Sequence, residues 1–426
     1  MLSDVMKTKS IIILLLIFLL RSVSCLGAFI LVPMDTEQTN HLKAYGIAYW
    51  TLQKGNTLEW LLNYRGGSFL IPYFEEIQQE CILRGIKTEI LADASRLRIL
   101  DEIARPDVNM EVIKMEKAPK IAVYAPIDKQ PWDDAVIMAL DYAEIPFDRI
   151  YDGEIIEGKL KDYDWLHLHH EDFTGQYGRF YKTFNHMLWY QKQVADNEVM
   201  ATKYGFSKVS KMKLYVALTI KSYVAEGGFL FAMCSGADSF DISLAAQNVD
   251  ICAQMYDGDP IDPEANQKLD FSQTLAFQNF KLMDDPLEYE FSTIDATQNR
   301  RIAQTQDYFT LFDYSAKWDP VPTMLCQNHT QIIRGFMGQT TSFIRDYVKP
   351  SVLIMGENKS LNEARYIHAE FGKGTWTFYG GHDPEDYQHL VGDPPTDLAL
   401  HPNSPGYRLI LNNVLFPAAK KKKQKT

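Results

Sequence analysis

Cysteine is scarce in this chain. Five occur among 426 residues, at Cys25, Cys81, Cys234, Cys252 and Cys326, scattered and without the close spacing of a structural zinc site. A chain this long buries enough surface to need no disulfide or metal staples. One or two disulfides would suit an oxidising compartment, but the sequence cannot pair them. Basic charge is also lacking: 43 Lys and Arg face 55 Asp and Glu, a net charge of −12. A nucleic-acid-binding chain normally presents a basic face, so that class is argued against. The only dense basic run is Lys420 to Lys423 with Lys425, read as a solvated tail over 420–426. No repeat recurs at a period of about 20–50 residues. A composition of 46% hydrophobic, 12% aromatic and 23% charged residues rules out a disordered or collagen-like chain.

Long apolar runs are missing, apart from a short one at residues 11–20, too short to span a bilayer unaided. Lys7 and Lys9 precede it, and Ser22, Ser24, Cys25 and Gly27 follow. Charged region, apolar region and small residues are the three parts of a secretory signal, so residues 1–25 read as a signal peptide and the protein as exported. Lipidation of Cys25 would be the only membrane attachment; ordinary cleavage near Ser24 or Gly27 is the plainer outcome.

Residues 26–116 read as a small N-terminal α/β unit: strands at 29–33, 58–64 and 87–91, helices at 39–54 and 74–83, and a tight turn at Arg65-Gly66-Gly67-Ser68. A second unit, 117–419, opens with apolar strands at 121–125, 147–151 and 165–169. Helices follow at 177–204 and 212–226, then strands at 229–233, 351–355 and 375–379 and a closing helix at 407–415. Strands alternating with helices predict a flavodoxin-like or Rossmann-like α/β fold, a mostly parallel sheet with helices on both faces. Residues 250–348 break the rhythm and read as an insertion.

Three clusters could carry chemistry. In Gly227-Gly228-Phe229-Leu230-Phe231-Ala232-Met233-Cys234-Ser235-Gly236 a buried strand runs into a helix start. Such a turn holds a nucleophile above the sheet edge, where backbone N–H groups lower a thiol pKa and stabilise an oxyanion. In Gly380-Gly381-His382-Asp383-Pro384-Glu385 a histidine follows a strand. Cys234, His382 and Glu385 then give nucleophile, base and orienting carboxylate in that order. Ser235, Gly236, Gly381, His169, Glu171 and Asp172 line the substrate side. In the third cluster, His167, His169 and Glu171 point to one side of a strand and could hold zinc. The reading taken is a polar strand end, with no metal and no cofactor. Trp165, Phe173, Tyr177, Phe180, Tyr181, Trp189 and Tyr190 could stack on a sugar, though such residues are usually core.

The elbow and the stretch from Gly372 through His382 to the last helix resemble the class I glutamine amidotransferase-like superfamily, and within it the trehalose-utilisation-type domains. The resemblance covers residues 120–416 apart from the insertion. It implies a cysteine-dependent amide hydrolase or amidotransferase acting on a small-molecule, glycan or peptide substrate. The superfamily's His-x-Glu is here His382-x-x-Glu385, and trehalose-utilisation-type domains generally lack a working triad. The alternative on the same fold is therefore a non-catalytic carbohydrate- or peptide-binding envelope protein. Ser235-Gly236-Ala237-Asp238-Ser239 resembles a shortened pyrophosphate loop of asparagine synthetase, which implies a further alternative: an ATP-dependent, asparagine synthetase B-like amidotransferase.

Overall fold

Residues 29–115 build the first of two sheets in the computed structural model, which describes residues 28–128, 130–326 and 330–419. The signal segment, Cys25 and the basic tail lie outside the described residues. Strands β1 (Phe29–Val32), β2 (Leu58–Leu62), β3 (Ser68–Pro72), β4 (Glu89–Leu91) and β5 (Glu111–Met115) lie in the order β4-β1-β3-β2-β5. Every pairing is antiparallel. Alternate residues divide between the faces, as the strand period of two requires. Ile30, Val32, Trp60, Leu62, Phe69 and Ile71 enter the main core with the helix His41–Gln53. Leu31, Leu61 and Leu70 pack with Ile103 of the helix Asp93–Ala104. The β2–β3 turn needs glycine at Gly67, where φ is +89° and a Cβ would stand 2.3 Å from Cys326 Sγ.

The second sheet holds β6 (Ile121–Tyr124), β7 (Asp148–Ile150), β8 (Trp165–Leu168), β9 (Phe229–Met233), β10 (Tyr308–Leu311), β11 (Ile332–Arg334), β12 (Phe343–Ile344), β13 (Leu353–Asn358), β14 (Glu363–Phe371) and β15 (Gly374–Tyr379). Their order is β11-β10-β13-β14-β15-β9-β8-β6-β7, with β12 beside β14. The run β15-β9-β8-β6-β7 is parallel. One face of the parallel run sends Ile121, Val123, Trp165, Phe231 and Met233 toward the helices Ala135–Ala143 and Pro405–Leu415. The other sends Ala122, Tyr124, Leu166, Leu168, Leu230 and Ala232 toward the helices Val209–Glu226 and Ser235–Ala245. Helices thus cover both faces here, and the chain is α/β.

The mostly parallel sheet expected from the sequence is parallel only in that run. From β15 outward the pairings of β14, β13, β10 and β11 are antiparallel. The stretch 250–348 was read as an insertion, but it supplies β10, β11 and β12 to this half. The helix expected over 177–204 is broken into a turn at Tyr177–Arg179, a short helix Tyr181–Phe184 and the helix Leu188–Lys203, with Tyr177 and Arg179 at positive φ. Cys81, Cys234, Cys252 and Cys326 are buried free thiols, so the anticipated disulfides do not form among the described residues. No helix of the described residues is long and apolar enough to cross a membrane.

The two sheets share one core, and Gly46 marks how closely they are joined. A Cβ there would lie 1.8 Å from the Ala143 carbonyl oxygen, where the helix His41–Gln53 meets the end of Ala135–Ala143. Gly46→Ala is expected to cost about 3 kcal/mol, at the upper end of overpacking penalties. Chemical denaturation of the variant checks this; an unchanged midpoint would mean the helices separate freely.

Candidate functional site

The parallel strands all present their C-terminal ends at one edge, where open α/β sheets collect reactive groups. Three of the connections leaving that edge bring in the polar side chains. After β6, Asp133 and Asp134 precede the helix Ala135–Ala143. After β8 come His169 and His170. After β15 come His382 and, farther along, His389.

Asp134 caps its helix: its Oδ1 accepts from the N–H of Val136 at 2.8 Å and of Ile137 at 3.0 Å. The same oxygen lies 3.2 Å from His167 Nε2 and 3.1 Å from His169 Nδ1. Burial alone would raise the Asp134 pKa, but the two imidazoles facing it hold it well below the usual carboxylate range. His167 Nδ1 lies 3.2 Å from the Phe231 carbonyl, so both nitrogens of that ring are engaged. His170 Nε2 lies 2.9 Å from the Asp133 carbonyl. His389 Nδ1 lies 3.0 Å from Asp386 Oδ2.

His382 stands in the middle. Its ring centroid is 5.0 Å from that of His169, 4.5 Å from His170 and 4.4 Å from His389. His169 and His170 stack at 3.9 Å. Asp133 Oδ1 approaches His382 Nε2 at 3.4 Å and His389 Nε2 at 3.0 Å. These are ion-pair distances without hydrogen-bond alignment, and the ring nitrogens of His169 and His382 and the Asp133 oxygens are buried without a hydrogen bond. His382 and His169 are 3% and 2% exposed. Burial lowers the pKa of His167, His170 and His382, and neighbouring imidazoles push His170 and His382 lower still. His169, His170 and His382 form one group of potential metal donors, and Asp133, His382 and His389 another, with donor atoms in each within 4.8 Å of one another. Trp132, 5.4 Å from the His170 ring, joins Phe180 and Trp189 into an aromatic wall behind the group. Of the other aromatics named from sequence, Trp165, Phe173, Tyr177 and Tyr190 are buried core.

Cys234 stands at the expected elbow between β9 and the helix Ser235–Ala245, with φ +50° and ψ −144°. Backbone strain of this kind is typical of a nucleophile turn. Its surroundings are not those of an activated thiol. Burial raises its pKa, and Asp238 and Asp295 raise it further. The residues ringing His382 are imidazoles and Asp133, and the Glu385 carboxylate pairs instead with His401 at 3.1 Å. No hydrogen bond joins His382 to Cys234 or to Glu385. Gly236 N–H, expected near an oxyanion, donates to the His169 carbonyl at 2.5 Å. That approach requires glycine, since a Cβ at 236 would stand 2.4 Å from the same oxygen. The stretch 235–239 likewise forms helical turn rather than an open phosphate loop.

The remaining predicted site residues scatter. Ser235 is fully buried, its Oγ without a hydrogen bond. Gly381, at φ +98°, donates its N–H to the Thr340 carbonyl. Glu171 turns away from His169 and accepts from Tyr151 Oη at 2.8 Å. Asp172 folds its own loop, accepting from Thr174 and Gly178. His169 meets two other predicted residues, His382 through its ring and Gly236 through its carbonyl. Sequence reading missed Asp133, Asp134 and His389 as partners and left His170 unassigned. The only available signal was that each follows a strand or its loop at the same sheet edge.

The Cys234 side of the edge is acidic. Asp238 Oδ1 accepts from Thr340 Oγ1, and Asp295 Oδ2 accepts from Thr340 N–H, both at 2.8 Å. Burial, with Glu290 adding repulsion, lifts the Asp295 pKa to about 7 against hydrogen bonds from Thr297 and Thr340 that lower it. A carboxyl whose folded pKa lies above its unfolded value stabilises the protein at low pH, and that contribution is lost as pH rises through the folded value. Stability is therefore expected to fall between about pH 4 and pH 7 in part through this group. In Asp295→Asn, melting curves taken across that window should be flatter than in the wild type; identical slopes would remove Asp295 from the account.

No protein-family model and no curated protein matches the chain. Among solved structures it is similar to the cytoplasmic protein STM3548 from Salmonella typhimurium, at 12% identity and TM-score 0.34, over 71% of this chain and 100% of that one. It is similar to the cytoplasmic protein STM1381 from Salmonella typhimurium LT2 at 12% identity and TM-score 0.32, with the same coverage. Gan42B, a GH42 β-galactosidase, overlaps 63% of this chain and 28% of its own at 8% identity and TM-score 0.26. Likenesses this loose bear on neither fold nor function.

Proposed function

We propose that the protein is a hydrolase whose reactive centre is the histidine–aspartate group at the C-terminal edge of β6, β8 and β15. The observation that carries this reading is the convergence of His169 and His382, buried and without hydrogen bonds at their ring nitrogens, beside the equally unbonded carboxylate of Asp133. Fixed imidazole nitrogens and a carboxylate are what a hydrolytic water needs: groups that hold it by hydrogen bonds and an acceptor for its proton. The water oxygen would bond to the substrate's carbonyl, glycosyl or phosphoryl centre, and the leaving group would depart with its electron pair and a proton. Trp132 flanks the centre and favours a substrate with a planar or sugar ring. The flavodoxin-like parallel half, the amidotransferase-like ancestry and export through the N-terminal segment belong to the same proposal.

A second reading, the cysteine-dependent amide hydrolase, is favoured by the strained elbow at Cys234. The two part on one experiment. Wild-type and Cys234→Ser proteins are assayed on esters, amides, glycosides and phosphoesters. Turnover that survives Cys234→Ser is expected. Loss of turnover in that variant would transfer the chemistry to the cysteine, and a wild type inert on every class would leave a binding protein.

A further inference from the structure

We infer that the group around His382 is a binding site for a single divalent transition-metal ion of the zinc class. The ligands are His169, His170 and His382, with Asp133 and His389 closing the other side. The inference rests on the hydrolase reading only for what the ion would do; the binding itself follows from the donors.

Imidazole ligands present one nitrogen to a metal and secure the other through a hydrogen bond to a carboxylate or carbonyl. Two rings here, His170 and His389, are arranged in that way, and His169 has its Nδ1 at ion-pair distance from a carboxylate. His169 places Nδ1 3.1 Å from Asp134, leaving Nε2. His170 gives Nε2 to the Asp133 carbonyl at 2.9 Å, leaving Nδ1. His389 gives Nδ1 to Asp386 at 3.0 Å, leaving Nε2. Different ring nitrogens are thus taken on different residues, as each approach direction demands. His382, whose nitrogens have no hydrogen bond, belongs to both donor groups. A neutral imidazole offers one nitrogen lone pair, so a ring shared by two groups marks one ion with two walls rather than two ions.

His167 is excluded because Phe231 and Asp134 occupy both its nitrogens. In the acidic group Asp250, Asp257 and Asp259, all three carboxylates already share the Lys208 ammonium. A set of up to four imidazoles and one carboxylate, with no thiolate, suits zinc, cobalt, nickel or iron in preference to calcium or magnesium. Zn–N bonds of about 2.0–2.1 Å put tetrahedral ligand atoms within about 3.5 Å of one another. Within each group donors now within 4.8 Å must draw together to reach that, and the stacked His169 and His170 rings must turn toward the ion. Bound there, the ion would lower the pKa of a coordinated water, which is the activation the hydrolase reading requires.

The test uses the full chain stripped by chelator, then titrated with Zn²⁺ by calorimetry and with Co²⁺ by visible absorption. One equivalent is expected, with cobalt bands of nitrogen and oxygen ligation and no thiolate charge-transfer band. His382→Ala should weaken binding by more than about 100-fold, and Asp386→Asn, which only positions His389, by about 10–100-fold. Far-ultraviolet circular dichroism confirms that the variants are folded. If His382→Ala does not fold, the wild-type spectrum and stoichiometry decide alone. Absence of stoichiometric binding, a thiolate band, or full affinity in folded His382→Ala would each overturn the site. Stoichiometric binding without turnover on any substrate class leaves the metal site standing and defeats the hydrolase reading. Full turnover by the stripped protein leaves the hydrolase reading standing and removes the ion from its chemistry.

Discussion

Lys213→Met is expected to destabilise the protein by about 3–5 kcal/mol, the cost of leaving one member of a buried ion pair alone. Lys213 Nζ donates to Asp152 Oδ2 at 2.8 Å, and the two side chains are 4% and 0% exposed. The ammonium also donates to Tyr124 Oη at 3.0 Å and Tyr151 Oη at 3.2 Å, and Tyr124 donates to the other Asp152 oxygen. Methionine keeps the length of the side chain and removes the charge. The buried Asp152 carboxylate is then left with the Tyr124 hydroxyl and no cation. Lys213→Met with Asp152→Asn removes the stranded charge and should recover part of the loss. Urea unfolding of the wild type, both single variants and the double variant supplies the full cycle. A coupling energy near zero would show that the pair contributes nothing specific.

His382→Ala is expected to reduce kcat/KM by at least about 10²-fold and up to about 10⁴-fold, the range for losing a positioned catalytic group. Each factor of ten corresponds to about 1.4 kcal/mol of transition-state stabilisation. The loss is expected to be largest at this residue because His382 is shared by both donor groups and is ringed by His169, His170 and His389. Melting curves recorded with the kinetics separate lost chemistry from lost folding. A folded variant with wild-type kcat/KM would show that the centre takes no part in the reaction.

The elbow and the histidine cluster were legible in the sequence to different depths. Cys234 could be placed because an apolar run followed by Ser-Gly encodes a strand-to-helix turn locally. Its partner could not, because a histidine on a strand-following loop is equally consistent with many neighbours. Glu385 illustrates the difficulty: it is three residues from His382, yet its carboxylate turns to His401. Asp172 and Glu171 likewise looked like site residues by position, but serve a loop turn and Tyr151. The antiparallel half of the second sheet was missed because β10 to β12 are short and carry no helical rhythm between them.

The sequence by itself determined the α/β class, the apolar strands of the parallel run, the elbow at Cys234 and the presence of histidines after β8 and β15. These are local properties, set by side-chain periodicity and turn chemistry within a few residues. Only the tertiary structure decided which groups meet. The strand order β15-β9-β8-β6 brings loops more than 200 residues apart in sequence to one edge. There Asp133 and Asp134 after β6 face His169 and His170 after β8, and His382 and His389 after β15. It also gave Gly236 N–H to the His169 carbonyl and surrounded the Cys234 thiol with buried acids. Charge, burial and ring orientation depend on neighbours in space, and those neighbours exist only once the strands have paired.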